Sequence, residues 1–251
     1  EIMFGARPYG ISELGTVEEV RATTSKQIYE RYKQIAETAP IEIFFNGECD
    51  ADALSEIVKS RIPTSARRNT SFPTRAFLDG EPDEVTEVTD EMPVAQGKLV
   101  MGLRMSGVNV NAPDAAAFNV FNEIFGGSAN SKLFMNVREK LSLCYYASSV
   151  LEKMKGLVLV SSGIEFDKYE TARDEILAQL EQIRRGEIED WEMEGARRTV
   201  IGGYRATLDD QGRQEEFWLG QSAAGLEEDI PALCTQLETV TKAQVAQAAQ
   251  K

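Results

Sequence analysis

Histidine is missing from all 251 residues. That absence removes a Ser-His-Asp triad, a Cys-His pair and any zinc site of the His-Glu-x-x-His kind. Cysteine is scarce: Cys49, Cys144 and Cys234 are three, odd in number and far apart. Neither a disulfide frame nor a thiolate metal site is expected, and the thiols read as those of a reduced, cytoplasmic protein. No run approaches the roughly 18 apolar residues of a membrane-spanning helix, and the first residues do not have the form of a signal peptide. Basic blocks are lacking as well. With 27 Lys and Arg against 41 Asp and Glu the formal net charge is −14, so neither nucleic acid nor an anionic membrane is an expected partner. No loop sets acidic residues at the spacing of calcium or magnesium ligands. The expectation is therefore a chain with no catalytic residue and no metal ligand of its own.

What is present is enough apolar material for a sizeable core, 42% of residues, and one informative stretch from Pro113 to Ile164. Asn111 to Pro113 starts a helix there, since Pro113 suits a first turn and Asp114 complements the helix dipole. Phe118, Phe121, Ile124 and Phe125 recur at three- and four-residue spacing on one apolar face. Gly126-Gly127 is read as the stop, glycine taking left-handed dihedrals without steric cost. Asn130 or Ser131 caps a second helix that buries Leu133, Phe134, Val137 and Leu141, with Arg138 near its end. Beyond Leu141 the period changes to two: Leu143, Tyr145, Ala147 and Ser149 share one face of a strand, Cys144, Tyr146, Ser148 and Val150 the other. A turn over 153–156 leads to the apolar strand Leu157–Val160. Arg138 and Tyr145, seven residues apart at a helix end and on the strand leaving it, are placed to face one cavity. The plainer alternative is a surface arginine paired with a nearby carboxylate and a core tyrosine. Gly126-Gly127 is not a phosphate loop, because no Lys-Ser/Thr follows at the required spacing.

In chain order, Thr16–Glu19 and Thr24–Gln27 spell capping boxes that open a short helix and an amphipathic one, the second with Ile28, Tyr32 and Ile35 on one side. Ile41–Phe45 reads as a strand ended by Asn46-Gly47, and Asp50 caps a helix bearing Leu54, Ile57 and Val58. Residues 63–92, rich in proline and charge and carrying Arg67-Arg68, read as a linker. Gln96–Ser106 is a strand with Leu99, Met101, Leu103 and Met105 on one face. Asp167 caps a helix that Gly186 ends. Another helix runs from Asp190 past Gly202-Gly203 to about Leu208, and a further one covers 214–224.

The end of the chain resembles its beginning: VRATTSKQI from Val20 aligns with LETVTKAQV from Leu237, an offset of 217. This predicts the tail of one module over 1–62, the linker over 63–92, and most of a second module over 93–251 whose last strand is missing, a piece of a longer protein.

The run GGSANSKLFMNVREKLSLCYYASS followed by GLVLVSSGI resembles the non-catalytic half of the M16 zinc peptidases, the group of insulin-degrading enzyme and mitochondrial processing peptidase. There a Gly-Gly turn leads to L-x-x-x-x-R-E-x-x-x-x-x-Y. The opening GARPYGISELGTVEEVRATTSKQIYERY is similar to the later part of that family's preceding module. The spelling VREKLSLCYYASS resembles the non-catalytic bacterial branch of the YmfF type. The resemblance implies an α+β fold of two-layer αβ modules of the LuxS/MPP-like type, each a mostly antiparallel sheet backed by helices. It implies modules that face one another around a peptide chamber, as a homo- or heterodimer or within one chain. Zinc is expected in a partner module or subunit and no cofactor in this chain. Arg138 and Tyr145 are the implied substrate-binding residues: an arginine holds a carbonyl or carboxylate, and a phenol hydrogen-bonds a carbonyl or developing oxyanion. Neither activates water alone. The expected function is a non-catalytic part of an M16-type peptidase that hydrolyses nothing by itself and helps bind a peptide; the alternative is a silent scaffold of the same fold.

Overall fold

The computed structural model describes residues 3–5, 10–62, 84–105 and 112–251. The chain divides into two compact units, 1–74 with 211–223, and 75–210 with 224–251. Asn111, Ser106, Arg67-Arg68 and most of the expected linker lie outside the described residues.

In the first unit, α1 (Val17–Ala22) and α2 (Ser25–Thr38) each start at a threonine that completes a capping box. Thr24 Oγ1 accepts from the Gln27 N–H at 3.3 Å, and Gln27 Oε1 accepts from the Thr24 N–H at 2.8 Å. Two otherwise orphaned helical donors are thereby satisfied. Asp50 caps α3 (Ala51–Arg61) through Oδ1, which accepts from the N–H groups of Asp52 and Ala53 at 2.9 and 3.1 Å. The expected strand Ile41–Phe45 is corrected: it takes no strand conformation and joins no sheet among the described residues. Alternation alone does not make a strand, which needs a neighbour to take its main-chain groups.

The second unit is a two-layer α+β arrangement. Strands β1 (Gly97–Arg104), β2 (Cys144–Glu152) and β3 (Leu157–Ile164) form an antiparallel sheet in the order β1-β3-β2. Across it, Leu99, Ser162 and Ala147 form one row, Met101, Val160 and Ser149 the next, and Leu103, Val158 and Leu151 a third. This is the face against which the helices lie, and Leu99, Ala147, Val158 and Val160 are buried on it. The opposing layer begins with α4 (Ala115–Asn122), which buries Phe118 and Phe121.

From Glu123 to Gly127 the helix widens into a π-helical turn, and Leu133–Lys140 is π-helical throughout. The reading of Gly126-Gly127 as a left-handed stop is corrected, since neither residue has a positive φ. Gly126 serves close approach instead. A Cβ there would lie 2.5 Å from Ser149 N and 2.9 Å from Leu133 Cδ1, so only glycine lets the turn rest on β2.

The layer continues with α5 (Tyr169–Arg184), which Gly186 ends at φ +77°. Next come α6 (Asp190–Thr207) and α7 (Gln211–Ala224), residues 211–223 of the latter clustering with the first unit. α8 (Ile230–Thr239) and α9 (Lys242–Gln250) follow. The start of α9 repeats that of α2: Thr241 Oγ1 accepts from Gln244 N–H at 3.3 Å, and Gln244 Oε1 accepts from Thr241 N–H at 2.8 Å. The short sequence repeat thus corresponds to one local structure used twice.

Candidate functional site

The π-helical segment hands over to β2 in a tight turn. Ser142 takes φ +48°, its N–H donates to Arg138 O at 3.1 Å, and the Leu143 N–H donates to Val137 O at 3.0 Å. Leu143 is buried and anchors the turn. Cys144 stands opposite Ile164 and Tyr146 opposite Gly163, so Tyr145 faces no residue of β3. It is the extra residue of a β-bulge, which locally re-aims the strand. The expectation that Tyr145 shares a face with Leu143 and Ala147 fails for this reason. Those two are buried, whereas Tyr145 is 62% exposed, which removes the core-tyrosine reading. Tyr146 stays on the outer face, its ring lying over Gly163, where a Cβ would meet Cε1 at 2.6 Å.

Arg138 reaches the bulge from the helix end. Its Nε–H donates to the Tyr145 carbonyl at 2.9 Å, and its guanidinium carbon lies 4.5 Å from the Phe134 ring centroid. Nη1 is 3.0 Å from Glu139 Oε1, the kind of pairing the plainer alternative called for. The structure therefore joins Arg138 and Tyr145 through the backbone at one surface position. Neither lines either of the two hollows of the second unit formed by 119–207 and by 184–250. A guanidinium held by its Nε and by a ring face still has N–H groups to offer a carbonyl or carboxylate. Beside it, burial pushes the Cys144 thiol up from its ordinary range, only partly offset by its Ser162 hydrogen bond and the Arg138 charge. A thiol so held is a poor nucleophile. Glu139 and the bulge were missed in the sequence; a bulge leaves no mark in a two-residue period unless the pairing is known.

The described residues do not fit a zinc ion. There is no histidine, and among the described residues no three Cys, Asp or Glu side chains stand together where they could hold a metal. What the arrangement offers chemically is binding and orientation. Among the described residues no helix is long and apolar enough to cross a membrane.

Residues 22–200 match the family model described as the peptidase M16 inactive domain. The chain is 32% identical over 248 residues to the "Probable inactive metalloprotease YmfF" of Bacillus subtilis, covering 97% of this chain and 57% of that protein. Among solved structures, a conserved protein from Enterococcus faecalis superposes with a TM-score of 0.88 at 26% identity, over 96% of this chain and 56% of the other. A peptidase M16 inactive domain from Pseudomonas fluorescens shares the fold, with a TM-score of 0.74 at 18% identity over 98% of this chain and 58% of that one. The chain thus spans little more than half the length of these relatives.

Proposed function

The chain belongs to the peptidase M16 inactive-domain family, and from that premise we propose that it forms part of the wall of a peptide-binding chamber whose hydrolytic zinc is carried by another module or subunit. In this reading residues 1–62 end one module and residues 93–251 make up most of a second. Arg138 and Tyr145 contact the bound peptide: the guanidinium holds a main-chain carbonyl or a carboxylate, and the phenol donates a hydrogen bond nearby. The setting is cytoplasmic. The observation that carries the reading is the Arg138 Nε–Tyr145 O bond across the bulge. It ties a cation and an exposed phenol to one point of the fold, which is what orientation of a flexible peptide requires.

The test is reconstitution. The full-length protein is combined with a zinc-bearing M16 subunit, and cleavage of an unstructured peptide is followed. Arg138→Ala and Tyr145→Phe should each lower turnover by roughly tenfold or more, the scale of one lost charge-assisted or transition-state hydrogen bond, while co-elution of the subunits is kept. Turnover unchanged in both variants would instead favour a silent scaffold of the same fold.

A further inference from the structure

A second feature of the 75–251 unit lies apart from the Arg138–Tyr145 surface. The π-helical turn Glu123–Gly127, the end of β2 and the middle of α6 line an open surface hollow of about 460 Å³, within the volume range of small-molecule sites. The hollow formed by 184–250 is a weaker candidate, because Arg184, Arg185 and Lys242 are each already paired with carboxylates.

Four observations give the first hollow a chemical character. Glu123 lines it, and Glu123 Oε1 is buried with no hydrogen-bond partner. A buried carboxylate oxygen left unpaired is costly and asks for a donor. Gly127 makes room for the group, since a Cβ there would lie 2.7 Å from Glu123 Oε2. Elsewhere on the lining Lys153 Nζ donates to Tyr204 Oη at 3.4 Å, a long contact that leaves ammonium protons for another acceptor. Finally, Gly203 leaves open space on α6, with nothing within 4 Å of its Cβ position. π-Helical turns inside α-helices are frequent at functional sites, and here the turn is what brings Glu123 to the hollow. Burial also raises the Glu123 carboxyl above its ordinary value, only partly countered by a Ser128 hydrogen bond. Burial thus disfavours the charged form, and a cation placed beside the group would favour it again.

We propose that this hollow binds a free basic amino acid, with its side-chain cation against the Glu123 carboxylate and its α-carboxylate toward Lys153. The cationic half of this chemistry is also present in an arginine side chain of a peptide, and the two sources separate by the far end, since only the free amino acid brings a carboxylate to Lys153.

The experiment is an NMR titration of the full chain labelled with nitrogen-15. The probes are L-arginine, agmatine, which keeps the guanidinium and lacks the carboxylate, and N-acetyl-arginine amide, which stands for a peptide side chain. L-Arginine should shift the amide signals of Gly127, Ser149 and Gly203 saturably, and more tightly than either other probe. Glu123→Gln should weaken L-arginine by roughly tenfold, the loss of one charge-assisted hydrogen bond. Lys153→Met should weaken L-arginine and leave agmatine unchanged. Gly203→Leu, which fills the space from a helical position and should raise rather than lower thermal stability, should abolish the shifts. No saturable shift in the wild-type chain, or equal affinity in Glu123→Gln, overturns the site. Equal affinity for all three probes overturns the free-amino-acid assignment in favour of a peptide side chain.

Discussion

Arg138 uses two parts of one guanidinium at once, the directed Nε–H bond to the Tyr145 carbonyl and the seat over the Phe134 ring, and a lysine has no donor at the Nε position. In the reconstituted assay Arg138→Lys should therefore fall to the level of Arg138→Ala and not lie between it and wild type; a near-wild-type lysine variant would show that charge alone matters. Glu123 offers a second test at this scale. Its carboxyl is raised above 4.5 by burial, so the folded chain holds that proton more tightly than the unfolded chain. The resulting stability is full below about 4.5 and is lost as pH rises through the folded value. Glu123→Gln escapes this loss. Its melting temperature relative to wild type should climb as pH rises from the ordinary carboxyl value toward neutrality, and a difference independent of pH would refute the assignment. Gly126 is the third case. Its would-be Cβ meets the β2 backbone at 2.5 Å, so Gly126→Ala should cost about 1–3 kcal/mol by denaturant unfolding. The sequence named Gly126 as notable for the wrong reason: glycine marks both left-handed backbone and close packing, and composition does not tell them apart.

Helices and strands were legible where local chemistry dictates them. The Thr-x-x-Gln boxes, the Asp50 cap and the left-handed Gly186 stand where the residues placed them, and β2 forms where the period changes to two, with the alternation broken at Tyr145. The π-helical widening was not legible, because a shift from 3.6 to about 4.4 residues per turn over one or two turns leaves the apolar spacing nearly unchanged. Nor was the buried pair that clamps the π-helical segment to α6, Lys132 Nζ to Glu192 Oε1 at 3.0 Å, both side chains 6% exposed. Glu192 also accepts from the Glu189 N–H at 2.8 Å, closing the cap of α6. Removing one charge leaves the other stranded, so Glu192→Gln should cost about 3–5 kcal/mol. Lys132→Met combined with Glu192→Gln should recover a large part of that loss in equilibrium unfolding; a double variant no more stable than the single one would mean that the pair is not the source of the cost.

For the molecule as a whole, the family was legible in one run of some forty residues, and the α+β arrangement followed from the family more than from patterning. What could not be read was how residues distant in sequence meet, including the hollow that joins Glu123, Lys153 and Gly203. A net charge of −14 carries a prediction at this scale. In the reconstituted assay at substrate concentrations well below saturation, a basic peptide should be cleaved faster than an acidic one of equal length, and added salt should erase the difference. A preference that survives high salt would point to specific contacts instead of the overall field.

The extra residue at Tyr145 also governs what β2 can tolerate in length. Side chains along a strand keep count in twos, so losing any single residue between Ala147 and Val150 would turn everything on one side of the cut inside out. Loss of Tyr145 alone would restore an even count, with Cys144 and Tyr146 already facing consecutive residues of β3. A chain shortened at that one point should keep its fold while losing both the protruding phenol and the carbonyl that holds Arg138.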